Sequence, residues 1–205
     1  IGFGLIINQC APARFKNDLN KVIFTYVTAA IVFLFTRNFN RDFQWEFLVE
    51  LGLVIYFFRP HFSKVKKLRL TIHHLFPIAI AGGLGFLFSW LILFWNYSPT
   101  GFGFILRNNF LNACIVFGVG APLLEEFVFR EVLFESSDKH QFGILTSFLF
   151  ALAHMPFDRS IISLPVLFVL GYFLYRTRKR LGLTAAVLAH STYNSTIMLT
   201  ELALQ

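Results

Sequence analysis

Cys114-Ile-Val-Phe-Gly-Val-Gly-Ala-Pro-Leu-Leu124 is an apolar run without a charge, and it continues directly into Glu125-Glu126-Phe-Val-Phe-Arg130. The first part reads as a helix able to lie in hydrocarbon. The second sets three ionisable groups against it. An ionised side chain near the bilayer centre costs on the order of 2.5–3.5 kcal/mol even on a permissive insertion scale. Such groups therefore need an interior position with partners. Glu126 and Arg130 are four apart and meet on one helix face. Glu125 lies roughly 100° round from Glu126, free to face a cavity. Pro122, after Gly118 and Gly120, marks a point where the helix kinks or restarts. The competing reading is a helix arriving at the cytoplasmic surface with a solvated, charged end, and it is the expectation for Glu131, Glu135 and Asp138.

Outward from this stretch the chain stays apolar. Of its 205 residues 56% are hydrophobic, 28 are Phe, and only 14% are charged, against about 25% in a soluble domain. A globule of this size cannot hide so much apolar surface from water, and disordered chains are poor in these residue types. Cys10 and Cys114 make no disulfide framework and match no metal-ligand spacing. The chain opens at Ile1, and no signal-peptide pattern is evident.

Runs free of Asp, Glu, Lys and Arg cover Val22–Thr36, Leu70–Leu106 with a loop at 96–103, Asn108–Leu124, His140 to the residue before Asp158, Ser160–Tyr175 and Leu181–Thr200. Glu46–Phe58 is apolar apart from Glu46 and Glu50. With flanks these approach the roughly 20 residues a spanning helix needs. The expectation is an all-α, polytopic membrane protein with about seven transmembrane helices in a single domain, 1–205. Residues 1–103 supply three spans without a motif, and 104–200 supply four.

Seven spans also sort the basic residues. With the N-terminus cytoplasmic, the clusters at 59–69 and 176–180 fall on one side, and only Arg37, Arg41, Arg107 and Arg159 fall on the other. That asymmetry follows the positive-inside rule. The net charge of +7 is then membrane topology, with lipid headgroups as partners. Nucleic acid is excluded as a partner, because the clusters abut hydrophobic segments and form no separate basic domain.

Two histidines sit inside later apolar segments. Phe150-Ala-Leu-Ala-His154 puts one deep in the fifth, and His190-Ser-Thr-Tyr-Asn194 puts His190 and Asn194 on one face of the last. A lone histidine of this kind is more commonly a packing residue. Polar groups in lipid-embedded helices, however, converge on one another or on a wet cavity, and here a Glu pair is available to meet them. Carboxylate, imidazoles and a carboxamide suit the activation of water. Glu125 can act as general base, His190 and Asn194 can donate to an oxyanion, and His154 can orient the water or carry a proton to the leaving amine. Cys114 and Ser191 make no convincing nucleophile dyad. Gly82-Gly83-x-Gly85 is expected to permit close helix contact, His73-His74 to lie at the membrane interface, and His61 and His140 to lie in loops.

At these residues the sequence resembles the CPBP family of intramembrane proteases, the type II CAAX prenyl endopeptidases and their Abi-like, bacteriocin-processing and immunity relatives. The family pattern Glu-Glu-x-x-x-Arg matches Glu125, Glu126 and Arg130, Phe-x-x-x-His matches Phe150 and His154, and His-x-x-x-Asn matches His190 and Asn194. The resemblance covers roughly residues 110–200. It implies a helical core whose motif residues share a cavity within the bilayer, and proteolysis of a membrane-associated or lipidated peptide or protein near its C-terminus. Glu125 would be the water-activating carboxylate, Glu126 with Arg130 its support, His154 a second water contact, and His190 with Asn194 the oxyanion side. A prokaryotic inner membrane is the location it suggests. Many members carry Gly after the motif Arg, where this chain has Glu131.

Two alternatives accompany this reading. Members of the family are often called metalloproteases, and Glu125, His154 and His190 can in principle form a His₂Glu zinc site. There is no His-Glu-x-x-His helix, and water activation needs only the carboxylate, so no cofactor is the expectation. A non-proteolytic membrane protein of immunity, scaffold or transporter type is the other, although the paired broken helices of a transporter are not evident.

Overall fold

Residues 13–36, 45–62, 71–94, 110–133, 140–158 and 163–203 are described by the structure, a computed structural model. Each apolar run of the sequence becomes a helix, since only a helix satisfies its own backbone in apolar surroundings. The helices are α1 (Ala13–Thr36), α2 (Trp45–Phe62), α3 (Leu75–Phe94, entered through a 3₁₀ turn at Ile72–His74), α4 (Phe110–Val132), α5 (His140–Asp158), α6 (Ser163–Leu181) and α7 (Leu183–Ala203). No strand occurs among the described residues. Side-chain hydroxyls are treated the same way. Ser89 donates to Gly85 O (3.0 Å), Ser147 to Gly143 O (2.6 Å), and Thr192, Thr196 and Thr200 each to the carbonyl one turn back (2.8 Å). None of these asks the surroundings for a partner.

The apolar surface is turned outward as well as inward. On α1, Phe15, Leu19, Val22 and Ala29 are buried, while Ile23, Val27 and Ile31 are exposed one turn apart. Tyr56 on α2 is 77% exposed, and Phe76, Trp90 and Leu111 face outward on α3 and α4. Contiguous apolar faces of this kind mark contact with a membrane or a partner. By length and composition, Ile72–Trp90 and Phe110–Val132 are able to cross a membrane, and Gly143–His154 is a shorter apolar stretch. Where seven spans are expected, the described residues form seven helices, and these two are long and apolar enough to cross a membrane.

Two local expectations, His61 and His140 in loops, need correction, and the helix ends fall as follows. α1 begins at Ala13, well before Val22, and carries Asp18 buried between Arg14 and Lys21, each 3.8 Å away. His61 is not in a loop but in the last turn of α2, buried and edge-on to Phe58. His140 is the first residue of α5. His73 and His74 form the 3₁₀ turn before α3, with His74 buried. α6 continues to Leu181, so the basic cluster at 176–180 is helical. Glu135 and Asp138, the loop at 96–103 and Cys10 lie outside the described residues.

Helices pair as α1 with α2, α5 with α6, and α3 with α7, while α4 touches α2, α5, α6 and α7. The α3–α7 contact is close because α3 presents glycine. A Cβ at Gly85 would lie 2.8 Å from Tyr193 O and 3.1 Å from Thr196 Cβ, and one at Gly82 would reach only the Thr192 and Thr196 side chains. Gly83 faces open space, so the expected small-residue contact holds at Gly82 and Gly85. Gly182, with φ +94°, is the single residue between α6 and α7, in the left-handed region that favours glycine.

Gly85→Val is expected to force α3 and α7 apart. We expect a loss of about 1–3 kcal/mol, the usual range for overpacking a tight contact. The thermal-unfolding midpoint of the detergent-solubilised protein should fall, and Gly83→Val, at an open position, should leave it near the parent value.

Candidate active site

The site is built on an irregular helix. Within α4, regular turns at Phe110–Ala113 and Ala121–Glu126 alternate with wider π turns at Cys114–Gly120 and Phe127–Val132. π segments are favoured at functional sites because they re-aim side chains. Pro122 has no N–H to give to a carbonyl in the preceding turn, and Ala121 directs its own N–H to Val116 O. The next carbonyl, Phe117 O, instead accepts a hydrogen bond from Asn194 Nδ2 of α7 at 2.8 Å. Gly120 lies under the Phe47 ring of α2, where a Cβ would be 2.7 Å from Cζ. The kink or restart expected at Pro122 thus takes the form of π turns on either side.

Both carboxylates of the Glu pair reach the same imidazole. His190 Nδ1 lies 3.0 Å from Glu126 Oε1, and His190 Nε2 lies 3.9 Å from Glu125 Oε2. The second imidazole joins at the same oxygen, with His154 Nε2 3.4 Å from Glu125 Oε2. His154 Nδ1 lies 2.8 Å from Phe150 O. A carbonyl oxygen only accepts, so Nδ1 of His154 carries the hydrogen, and its Nε2 faces the carboxylate either as a bare lone pair or as an added N–H. An ionised Glu126 imposes the same tautomer on His190.

Arg130 and Glu126 are fully buried, and Arg130 Nε is 3.5 Å from Glu126 Oε2. The guanidinium is otherwise enclosed by aromatic rings, 5.1 Å from the Phe150 centroid and 5.8 Å from that of Phe129, distances at which cation–π attraction operates. Phe150 also packs against both imidazoles, 4.6 Å from His154 and 5.5 Å from His190. The motif phenylalanine therefore serves as the wall between the buried cation and the two histidines. Exposure is uneven across the site: 25% of the His154 side chain is accessible, against 2% for His190 and 11% for Glu125. The opening is on the α5 side.

Of the six residues singled out from the sequence, Glu125, Glu126, Arg130, His154 and His190 are brought together. Asn194 lies one turn along α7 from His190, and its amide is engaged with Phe117 O rather than with the carboxylates. The set Glu125, His154 and His190 converges on one carboxylate oxygen. Even so, no group of three His, Cys, Asp or Glu side chains among the described residues is arranged to hold a metal ion. Glu131, expected at a solvated helix end, is buried and accepts from Arg178 Nη2 at 2.6 Å and Nε at 3.0 Å. The acidic residue standing where the family often has Gly is thus consumed in tying α4 to α6. Sequence reasoning missed the approach of Tyr26 and Glu50 to this cluster. Glu50, an unexplained charge in an apolar segment, was the available signal.

A carboxylate between two imidazole Nε2 atoms, enclosed by apolar helices, defines a class: a buried carboxylate–imidazole site with acid–base groups in reach of one another. Residues 107–196 match the family model described as type II CAAX prenyl endopeptidase, Rce1-like, so the family resemblance carried by the three motifs is shown for this segment. The family so described is one of endopeptidases. No curated protein and no solved structure matches the chain.

Replacing Glu126 by Leu leaves the Arg130 guanidinium buried without its carboxylate. Breaking a buried pair in this way costs about 3–5 kcal/mol, so E126L should show a large loss in equilibrium unfolding in detergent. The double substitution Glu126→Leu, Arg130→Met, which removes both charges, should recover most of that loss.

Proposed function

We propose that the protein is an intramembrane endopeptidase that hydrolyses a peptide bond of a membrane-associated or lipidated substrate, using water activated by Glu125. The observation that carries this reading is the position of Glu125 Oε2, 3.4 Å from His154 Nε2 and 3.9 Å from His190 Nε2, with Glu126 behind His190. A water held at this carboxylate can accept its alignment from both imidazoles, each with its Nδ1 hydrogen already committed.

The chemistry follows from those tautomers. Glu125 takes a proton from the water as its oxygen attacks the scissile carbonyl carbon, and the carbonyl becomes a tetrahedral oxyanion. His154, on the open side of the site, receives that proton at Nε2 and passes it to the leaving amine as the C–N bond breaks. One water is consumed and the products are a carboxylic acid and an amine, which become carboxylate and ammonium as the acid's proton passes to the amine. A neutral His190 with hydrogen on Nδ1 accepts at Nε2 and cannot donate there, so it helps an oxyanion only once Nε2 is protonated. Asn194 keeps a second amide N–H beyond the one given to Phe117 O, and this is its route to an oxyanion role. Preorganised donors of this type contribute about 2.7–4 kcal/mol each.

The substrate class rests on two observations. The site opens beside α5, whose Gly143–His154 stretch is apolar, and the surrounding helices present apolar faces outward. A chain held near the bilayer by a lipid or an apolar segment reaches such an opening without leaving the membrane. Membrane lipids are then partners, and a prokaryotic inner membrane with a cytoplasmic N-terminus is the location this reading adopts.

Glu125→Gln keeps the size of the side chain and removes its basicity. Purified E125Q, offered a membrane-anchored peptide in vesicles, should cleave about 10²–10⁴-fold more slowly than the parent, the range for losing a general base, with unchanged helicity by circular dichroism. Cleavage at the parental rate would sink the assignment. Activity should also persist after chelation and repurification; loss restored by zinc would require a different catalyst.

A further inference from the structure

Glu50 stands in α2, ahead of the segment that matches the family model, and it is buried. Facing it is Tyr26 of α1, whose ring lies 5.2 Å from that of Phe129 and whose hydroxyl oxygen is out of solvent. That hydroxyl interacts electrostatically with Glu50, Glu125 and Glu126, and the Arg130 guanidinium lies against the same Phe129 ring, 5.8 Å from its centroid. Two residues from the motif-free half of the chain therefore adjoin the buried polar cluster of α4. The plain alternative, a tyrosine and a glutamate at a lipid or water interface, does not describe groups so placed.

The Arg130 guanidinium supplies a reason for them. It carries five N–H donors, yet its nearest carboxylate oxygen is 3.5 Å away and none of its nitrogens has a strict hydrogen-bond partner. A buried guanidinium needs acceptors, and a phenol is suited to provide one, since its oxygen accepts while its hydrogen is donated onward to a carboxylate. We infer that Tyr26 and Glu50 are positioning residues for the Glu126–Arg130 pair, so that α1 and α2 complete the site built by α4, α5 and α7. Glu126 in turn holds His190 at Nδ1, and His190 Nε2 faces Glu125. The ionisable groups around the phenol are Glu50 on α2 and Glu125, Glu126 and Arg130 on α4, with His154 of α5 and His190 of α7 beyond them. Loss of the phenolic hydroxyl reaches the imidazole through that chain. The catalytic consequence rests on the protease reading, whereas the geometric one does not.

The test is Tyr26→Phe in the full chain, which keeps the ring against Phe129 and removes only the hydroxyl. Two readouts separate the claims. In histidine-labelled protein, the proton resonance of His190 Nδ1–H, assigned by its absence in H190Q, should move in Y26F. In the cleavage assay kcat should fall about tenfold with KM within about twofold, the size of effect expected when one hydrogen bond to a charged group is lost. Tyr56→Phe, at an exposed position remote from the site, should change neither. A Y26F protein whose His190 resonance and kcat both match the parent would overturn the inference, as would one that is merely less stable with the resonance unmoved. Should Y26F not fold, Glu50→Gln is read in the same two ways, and an unmoved resonance there is equally fatal. A moved resonance in a protein that cleaves nothing supports the positioning role and removes the protease reading alone.

Discussion

The imidazole of His190 is held from both ends by successive carboxylates of one helix, Glu126 at Nδ1 and Glu125 at Nε2. Everything else in the site follows from the need to keep those charges inside an apolar bundle. Two neighbouring carboxylates repel unless cations or hydrogen bonds separate them. Arg130, one turn on, lies against the rear of Glu126, and His154 approaches the front of Glu125. The ring of Phe150 keeps the guanidinium and the imidazoles apart while touching all three. Without the neighbouring helices none of these groups would tolerate burial, and without these groups the helices would have no reason to depart from simple apolar packing.

The bundle answers that constraint by spending regularity in one place. α3, α5, α6 and α7 are ordinary helices, whereas α4 alternates α and π turns across the stretch that carries the Glu pair. Glu125 and Glu126 close the regular segment between the two wider stretches, and at roughly 100° apart they address opposite nitrogens of one ring. Close approach elsewhere compensates: Gly85 lets α7 settle onto α3, and α7 carries His190 to the carboxylates.

Much of this was legible in the sequence, and the reason is specific. Charges and histidines inside apolar runs are costly, so their presence signals mutual contact, and Glu125, Glu126, Arg130, His154 and His190 were readable on that ground alone. Helix existence was readable from the apolar runs, while helix ends were not. The start of α1 at Ala13 is hidden because its first turns are polar yet still helical, with Asp18 held by flanking cations. Glu131 misled for a similar reason: it stands among acidic residues at a helix end, and only the tertiary approach of Arg178 makes it interior. The role of Glu50 was obscured because a lone carboxylate in an apolar segment looks like a defect in a span until Tyr26 is seen opposite it. Asn194 shared a face with His190 as expected, but the pattern of side chains gave no hint that its first partner is a backbone carbonyl.

That carbonyl makes Pro122 and Asn194 chemically a single device despite their distance along the chain. Proline withholds a backbone donor, the carboxamide of another helix replaces it, and the two helices become stitched at the level of the candidate site. An ordinary residue at 122 would bring a rival amide to Phe117 O. The carboxamide would then be released from its scaffolding duty, and the seam between α4 and α7 would be traded for a more regular helix and a more mobile Asn194.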